Sequence, residues 1–200
     1  MQQNFPLFQS HLDLAHGFWR RLLNSGDMAI DATCGNGNDT LVLAEILSEK
    51  GGGEVIGIDI QEGAIQATRE LLQTQLSPAM LDKVHLFHQS HSDFPQMAKT
   101  AQVKLVVYNL GYLPRGNKEL TTLTGTTLQS VQSALELILP GGAVSITCYP
   151  GHAEGAKEEM ALHEMFSNLP SALWNVCIHS FPNRKKAPSL ILIQRNQTLL

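Results

Sequence analysis

Between Ala29 and Thr40 the chain reads Ala-Ile-Asp-Ala-Thr-Cys-Gly-Asn-Gly-Asn-Asp-Thr, an apolar run that breaks into a Gly-Asn-Gly turn. Gly35 and Gly37 let the backbone turn sharply and approach a ligand with no Cβ in the way. Apolar residues at Leu41, Leu43, Ala44 and Leu47 predict a helix directly after the turn. Its open N-terminus would offer unpaired N–H groups. A dinucleotide loop requires G-x-G-x-x-G and a P-loop requires G-x-x-x-x-G-K-[ST]. This loop has neither the third glycine nor the lysine, so it is poorly equipped for a pyrophosphate. A cofactor with an amino-acid end, such as S-adenosylmethionine, fits better. On that reading Asp31 engages the methionine ammonium directly or through water, and Thr33, Gly35, Asn36 and Gly37 line the methionine portion. Asn38 and Asp39 open the helix and add polar contacts, unless Asp39 is only an N-cap.

A second apolar strand, Glu54-Val-Ile-Gly-Ile-Asp59, ends in a carboxylate about 20 residues past the turn, where an acid can accept hydrogen bonds from both ribose hydroxyls of an adenosine. A nicotinamide dinucleotide would use the same acid, so Asp59 supports adenosine without choosing the cofactor. The plainer alternative is that Asp59 caps the helix starting near Glu62. Ile60 and Gln61 would flank the adenine. Ser90 and His91, after a third strand, are candidates for its amino edge, although His91 reads more naturally as a loop histidine. A fourth strand, Val103 to Asn109, runs into Leu110-Gly-Tyr112 and Pro114. Ligands of open parallel sheets lie beyond the carboxyl ends of the strands, which aims Asn109 and Leu110 at the cofactor and Gly111 and Tyr112 at the substrate. The tetrad resembles the Asn-Pro-Pro-Tyr motif of methyltransferases acting on amino nitrogens. That resemblance implies that the Asn109 oxygen and a backbone carbonyl accept hydrogen bonds from the target amine. Such acceptors orient its lone pair toward the methyl carbon. The ring of Tyr112 would pack on the substrate base, and Tyr149 is a second aromatic on that edge. The amine must be neutral to attack, and desolvation near a sulfonium lowers its pKa, so a general base is optional. His152 is the candidate if one acts, set against a loop histidine that only hydrogen-bonds backbone.

Around these residues the chain alternates strand and helix. Strands are expected near 28–32, 54–59, 84–89, 103–109, 142–149, 173–181 and 189–195. Helices are expected over Ser10 to Leu23, Thr40 to Glu49, Glu62 to Gln75, Thr126 to Ile138 and Glu154 to Ser167, with a short one within Asp93 to Ala101. Alternating units predict a parallel α/β sheet with helices on both faces. Only a short loop with Pro182 and Pro188 separates the last two strands, which permits an antiparallel pair and forbids a parallel crossover. Six parallel strands and an antiparallel seventh make the Rossmann-like class I methyltransferase sheet, in one domain covering 1–200 with residues 1–25 as a helical segment packed on it. If 173–181 runs parallel to the others, Arg184, Lys185 and Lys186 stand on the cofactor edge with Arg115, Lys118 and His152. That basic rim suits phosphate oxygens.

Composition narrows the alternatives. Two hundred residues, 43% hydrophobic and 16% charged, bound one globular domain. No apolar run reaches 18 residues, so no membrane span is expected, and the N-terminus shows no signal-peptide pattern. Three cysteines (Cys34, Cys148, Cys177) without C-x-x-C spacing suit a reduced cytoplasmic protein. His85, His88 and His91 straddle a strand end with no Cys or acidic partners, and no metal is expected there. A net charge of −4 does not by itself advertise a nucleic-acid binder. A homodimer is compatible with the sequence, though no residue pattern asks for one.

Taken together, the motifs resemble the YtqB-like class I methyltransferases, grouped as rRNA methylases and associated with wobble-uridine modification of tRNA. Asp31 to Asp39 and Asn109 to Pro114 carry the resemblance, with Thr126-Thr127, Leu139-Pro-Gly-Gly142, Tyr149-Pro-Gly-His152 and the loop containing Asn183. It extends from about His16 to the last strand. It implies S-adenosylmethionine-dependent methylation of the aminomethyl nitrogen of 5-aminomethyl-(2-thio)uridine in a tRNA anticodon stem-loop. The chain departs from the family pattern at Arg115, at Arg184 and at Thr124-Gly125, all on the substrate side. Two other readings stay open: methylation of rRNA or a small-molecule amine, and a non-catalytic cofactor-binding scaffold. A nicotinamide dehydrogenase is a distant third.

Overall fold

Buried strands built from β-branched and aliphatic residues make the centre of the molecule. A computed structural model describes residues 10–111, 122–184 and 186–198. In chain order the elements are α1 (His11–Leu22), β1 (Met28–Asp31), α2 (Asn38–Glu49), β2 (Glu54–Asp59), α3 (Glu62–Gln75), α4 (Pro78–Leu81) and β3 (Val84–His88). They continue with α5 (Gln96–Thr100), β4 (Val103–Asn109), α6 (Thr124–Leu137), β5 (Ile138–Cys148), α7 (Ala153–Ser167), β6 (Trp174–His179) and β7 (Ser189–Arg195). The seven strands form one sheet in the order β3-β2-β1-β4-β5-β7-β6. Neighbours from β3 to β5 pair in parallel, whereas β7 pairs antiparallel with both β5 and β6. β6 therefore runs with the parallel set, as expected from the short Pro182–Pro188 connection.

Period-2 alternation divides the core between the two faces. Ile30, Val106, Val144 and Ile191 pack with Val131 and Ala134 of α6 and Leu162 and Phe166 of α7. Ala29, Leu105 and Val107 pack on the other face with Ala15 and Trp19 of α1, Leu43 and Leu47 of α2, and Leu72 of α3. The order reverses between β1 and β4, and at such a switch point the crevice opens beyond the carboxyl ends of the strands.

Several boundaries differ from the sequence reading. β5 begins at Ile138, before the Pro-Gly-Gly segment, because Val103 pairs with Ile138 and Leu105 with Ala143, so a bulge absorbs Leu139 to Gly142 within the strand. Gly141, at φ 74°, supplies the left-handed step of that bulge. α6 accordingly stops at Leu137 and starts earlier, at Thr124. The short α4, opened by Pro78 at its first turn, had no period by which to be recognised.

Gly37 joins the fold to the site. It caps α2 at φ 83°, and a Cβ there would stand 2.9 Å from the Cα of Thr68 in α3. A left-handed backbone and a closely packed helix each exclude a side chain. Gly37→Ala is expected to lower the unfolding free energy by about 1–3 kcal/mol, read from urea denaturation. A midpoint equal to wild type would contradict this packing.

Candidate active site

The Gly-Asn-Gly turn is shaped from beneath by buried acids. Asp31 ends β1 at 1% exposure, accepting the Thr33 N–H at 3.2 Å on one oxygen and the Thr40 hydroxyl at 2.6 Å on the other. Burial first, and then the neighbouring Asp39 charge, pushes its carboxyl up to about 7. In this conformation Asp31 presents no open surface to a ligand, so its influence there is exerted by its charge and through the loop it closes. Asp59, at the end of β2, accepts the Gly35 N–H and the Gln61 N–H, each at 2.9 Å. It therefore ties the turn to the start of α3. Thr68 of α3 donates to the Gly35 carbonyl at 3.1 Å. Asn36 and Asn38 are left exposed on the rim of the turn.

Ile60, next after Asp59, is 65% exposed. The half-buried Gln61 follows it. Ser90 is turned inward to Ser92, whose N–H it accepts at 3.2 Å. His91 packs edge-on against Tyr108, with centroids 6.1 Å apart, and burial lowers its pKa to about 4. Its buried Nε2 has no hydrogen-bond partner among the described residues. The three histidines of this segment diverge: His85 lies by Glu54, His88 donates to the Ile60 carbonyl, and His91 turns to Tyr108.

Asn109 stands at the centre of the edge. Its backbone N–H donates to the Thr33 hydroxyl at 2.7 Å, fixing the end of β4 to the first loop. Its side-chain amide donates to Asp39, whose other oxygen takes the His16 imidazole at 2.7 Å. That donation sets the amide so that Oδ1 points the other way, where the Tyr149 hydroxyl lies 3.4 Å off. Tyr149 in turn bonds His11 at 3.0 Å. Five side chains from α1, α2, β4 and the loop after β5 thus form one line: His16, Asp39, Asn109, Tyr149, His11. Asp39 is more than an N-cap, because both of its oxygens leave α2 for other elements. Nothing in the apolar periodicity of α1 marked His11 or His16; they sit five residues apart on a helix recognised by its core face. Only their place beside the buried Ala15 and Trp19 hinted that α1 crosses the carboxyl edge.

Leu110 enters the core, 2% exposed, so its side chain is closed to a cofactor, and its N–H donates to the Thr147 carbonyl at 2.9 Å. Gly111 takes φ 133° and exchanges two hydrogen bonds with Thr122: its N–H meets the Thr122 hydroxyl at 2.9 Å, and its carbonyl accepts the Thr122 N–H at 3.0 Å. Thr122 donates at 2.8 Å to Glu158, which is 1% exposed and also holds Thr127 at 2.6 Å. Gly111 and Thr122 are therefore held together by a buried acid of α7 that the sequence reading did not single out. Tyr112, Arg115, Lys118 and Lys185 lie outside the described residues. Arg184, in the loop after β6, sets its guanidinium 4.8 Å from the Phe181 ring centroid, and Lys186 beside it is exposed.

The expectation that His152 acts as a base is corrected by its capping geometry. Its Nδ1 accepts the Gly155 N–H at 3.1 Å as the N-cap of α7. That bond occupies the Nδ1 lone pair and leaves the proton of the neutral ring on Nε2. Its Nε2 lies 3.9 Å from where a Cβ on Gly111 would stand.

A glycine turn, a strand-end acid and an amide acceptor along one edge of this seven-stranded sheet define a class I methyltransferase. The comparisons agree. Residues 55–195 match the family model described as "Putative rRNA methylase", and the chain belongs to that family. It is 38% identical over 190 residues to the chloroplastic tRNA (mnm(5)s(2)U34)-methyltransferase of Arabidopsis thaliana, covering 92% of this chain and 69% of that protein. It superposes with TM-score 0.84 and 33% identity on an rRNA-methylase from Clostridium thermocellum, covering 93% of this chain and 97% of the other. A methyltransferase from Streptococcus mutans in complex with SAH gives TM-score 0.78 and 30% identity, with 92% and 97% covered.

Removing the Asp39 carboxylate leaves the Asn109 amide and His16 without their shared partner. Asp39→Ala is expected to destabilise the fold by about 1–3 kcal/mol and to speed amide hydrogen exchange across α1. Unchanged exchange there would show that α1 is held by its apolar face alone.

Proposed function

We propose that this chain is an S-adenosylmethionine-dependent N-methyltransferase of tRNA. It converts 5-aminomethyl-(2-thio)uridine at the wobble position to the 5-methylaminomethyl form. The observation that carries the reading is the Asn109 amide, held by Asp39 so that its oxygen is the acceptor: one lone pair takes the Tyr149 hydroxyl at 3.4 Å and the second can take an external donor. A target amine donating to that oxygen has its lone pair aligned by geometry alone, and alignment supplies most of what a displacement needs. The 38% identity to a protein named for this reaction supports the substrate.

The residues present fit the cofactor. Gly35 and Gly37 keep the turn open, Asp59 stands at the ribose position, exposed Ile60 offers an adenine rest, and the Asp31 charge lies beneath the turn. When bound, S-adenosylmethionine supplies an electrophilic methyl on a sulfonium. The chain's own work is to hold and orient. Tyr112 covers the base, Tyr149 closes the opposite side, and Arg115, Lys118, Arg184, Lys185 and Lys186 meet the anticodon stem-loop phosphates. Cys34, Cys148 and Cys177 are free, with the first two buried, which suits a reducing compartment such as the cytoplasm. No helix among the described residues is long and apolar enough to cross a membrane.

Nucleoside mass spectrometry of tRNA from a strain lacking the gene, before and after treatment with protein and cofactor, tests this reading. Accumulated 5-aminomethyl-2-thiouridine converted to its methylated form is expected. An unchanged nucleoside with cofactor still bound would move the acceptor to rRNA or a small amine. Asn109→Ala is expected to lower kcat about 100-fold while leaving the cofactor Kd nearly unchanged by calorimetry. Asp31 gives a second handle. A carboxyl titrating at about 7 must ionise to favour the methionine ammonium, so cofactor affinity should fall as pH drops below 7. Titration calorimetry from pH 6 to pH 8 should show that slope in wild type and a flat profile in Asp31→Asn.

A further inference from the structure

We propose that Tyr149 and His11 form the route by which the target ammonium loses its proton before methyl transfer. The inference rests on the amine acceptor of the preceding section and assigns a step that none of the residues named there performs. An aminomethyl group is mostly protonated at neutral pH, as alkyl ammonium groups are. As an ammonium it has no lone pair to attack with. An ammonium donating to Asn109 Oδ1 has the Tyr149 hydroxyl as its next polar neighbour, since that hydroxyl lies 3.4 Å from the same oxygen. The phenol is 3.0 Å from His11 Nε2, with the two rings edge to face and centroids 5.5 Å apart. As it stands the phenol donates to Asn109 Oδ1; an ammonium donating to that oxygen takes its place, and the phenol's proton then turns to the imidazole, the shorter of its two contacts. The other histidine at this edge, His152, has its Nδ1 engaged by the Gly155 N–H.

The step balances without any other reactant. An N–H bond of the ammonium breaks as its proton passes to the Tyr149 oxygen. The O–H bond of Tyr149 breaks as its proton passes to His11 Nε2. The phenol ends unchanged, the amine is neutral with its lone pair toward the methyl group, and the imidazole is a cation. His11 is half-buried at the start of α1, from which the proton can leave to solvent.

The groups around His11 suit that task. Tyr149 faces it from the loop after β5, Asp39 from α2, and Asp13 from its own helix; His16 is engaged by Asp39. Burial lowers the His11 pKa and is the largest influence, opposed by the charges of Asp39 and Asp13. The imidazole is thus neutral at pH 7 and can accept. Tyr149 is pushed up to about 12, by burial and then by Asp39, so it passes a proton on without resting as a phenolate.

The test is the pH dependence of kcat/KM on an anticodon stem-loop carrying 5-aminomethyluridine, for wild type, His11→Gln and Tyr149→Phe. Wild type can bind the abundant ammonium and deprotonate it in place, and desolvation beside the sulfonium favours the neutral amine there, so its kcat/KM should rise with pH less steeply than a variant's. Either variant must wait for amine already neutral in solution. Each should be about 100-fold slower at pH 7, gain about tenfold per pH unit, and meet wild type at high pH. Cofactor Kd and thermal midpoint, measured alongside, identify a variant that has failed to fold, and the other then carries the test. A deficit that does not change with pH, or none at all, would overturn the relay. No transfer by wild type would instead overturn the amine acceptor itself, and the relay with it.

Discussion

The Asp39 carboxylate, shared between the His16 imidazole and the Asn109 amide, is the contact on which the arrangement of this edge depends. A carboxylate with one oxygen on a helix and the other on a strand end has little freedom, and a bond to a charged group is among the stronger ones available. Through it α1 is drawn over the carboxyl ends of the strands, α2 is fixed beyond its glycine cap, and the end of β4 is given one amide orientation. An asparagine side chain turned by half a rotation would present a donor where an acceptor is needed. Here the choice is made by a buried acid before any substrate arrives, which is the sense in which the site is preorganised.

The order of the sheet explains why one acid can reach so far. β1 and β4 are adjacent in the middle of the sheet although Asp31 and Val103 are 72 positions apart. The loop after β1 and the motif after β4 therefore lie side by side, joined by the bond from the Asn109 N–H to Thr33. The glycines serve the same closeness. Gly37 allows α2 to start against α3, and the bonds of Asp59 hold the turn in place. Glu158 inside α7 plays a corresponding part for Thr122 and Thr127, which both donate to it.

Much of this could be read from the chain, and the reasons are local. The Gly-Asn-Gly turn, the strand-end Asp59 and the run from Val103 to Asn109 each bring their own context within a dozen residues. The antiparallel end of the sheet followed from the length of one loop. What escaped is what depends on distant pairs. His11 and His16 reach Tyr149 and Asp39 across 138 and 23 residues, and no spacing rule connects them. Glu158 looked like one more charged residue of an amphipathic helix, yet it is buried because Thr122 and Thr127 satisfy both its oxygens. His152 failed as a base for the opposite reason: its role is local, a cap three residues from its partner, and a loop histidine beside a glycine-rich turn conceals that. β5 began early because a bulge can absorb Pro-Gly-Gly, whereas that triplet reads as a break.

The central claim is that Asp39 fixes the Asn109 amide with its oxygen toward an amine. A crystal structure of the protein with S-adenosylhomocysteine and a stem-loop carrying 5-aminomethyluridine measures this directly. The account requires the aminomethyl nitrogen within about 3.2 Å of Asn109 Oδ1, with Nδ2 still on Asp39. An amine held elsewhere, or an Asn109 amide released from Asp39 and turned around, would contradict it.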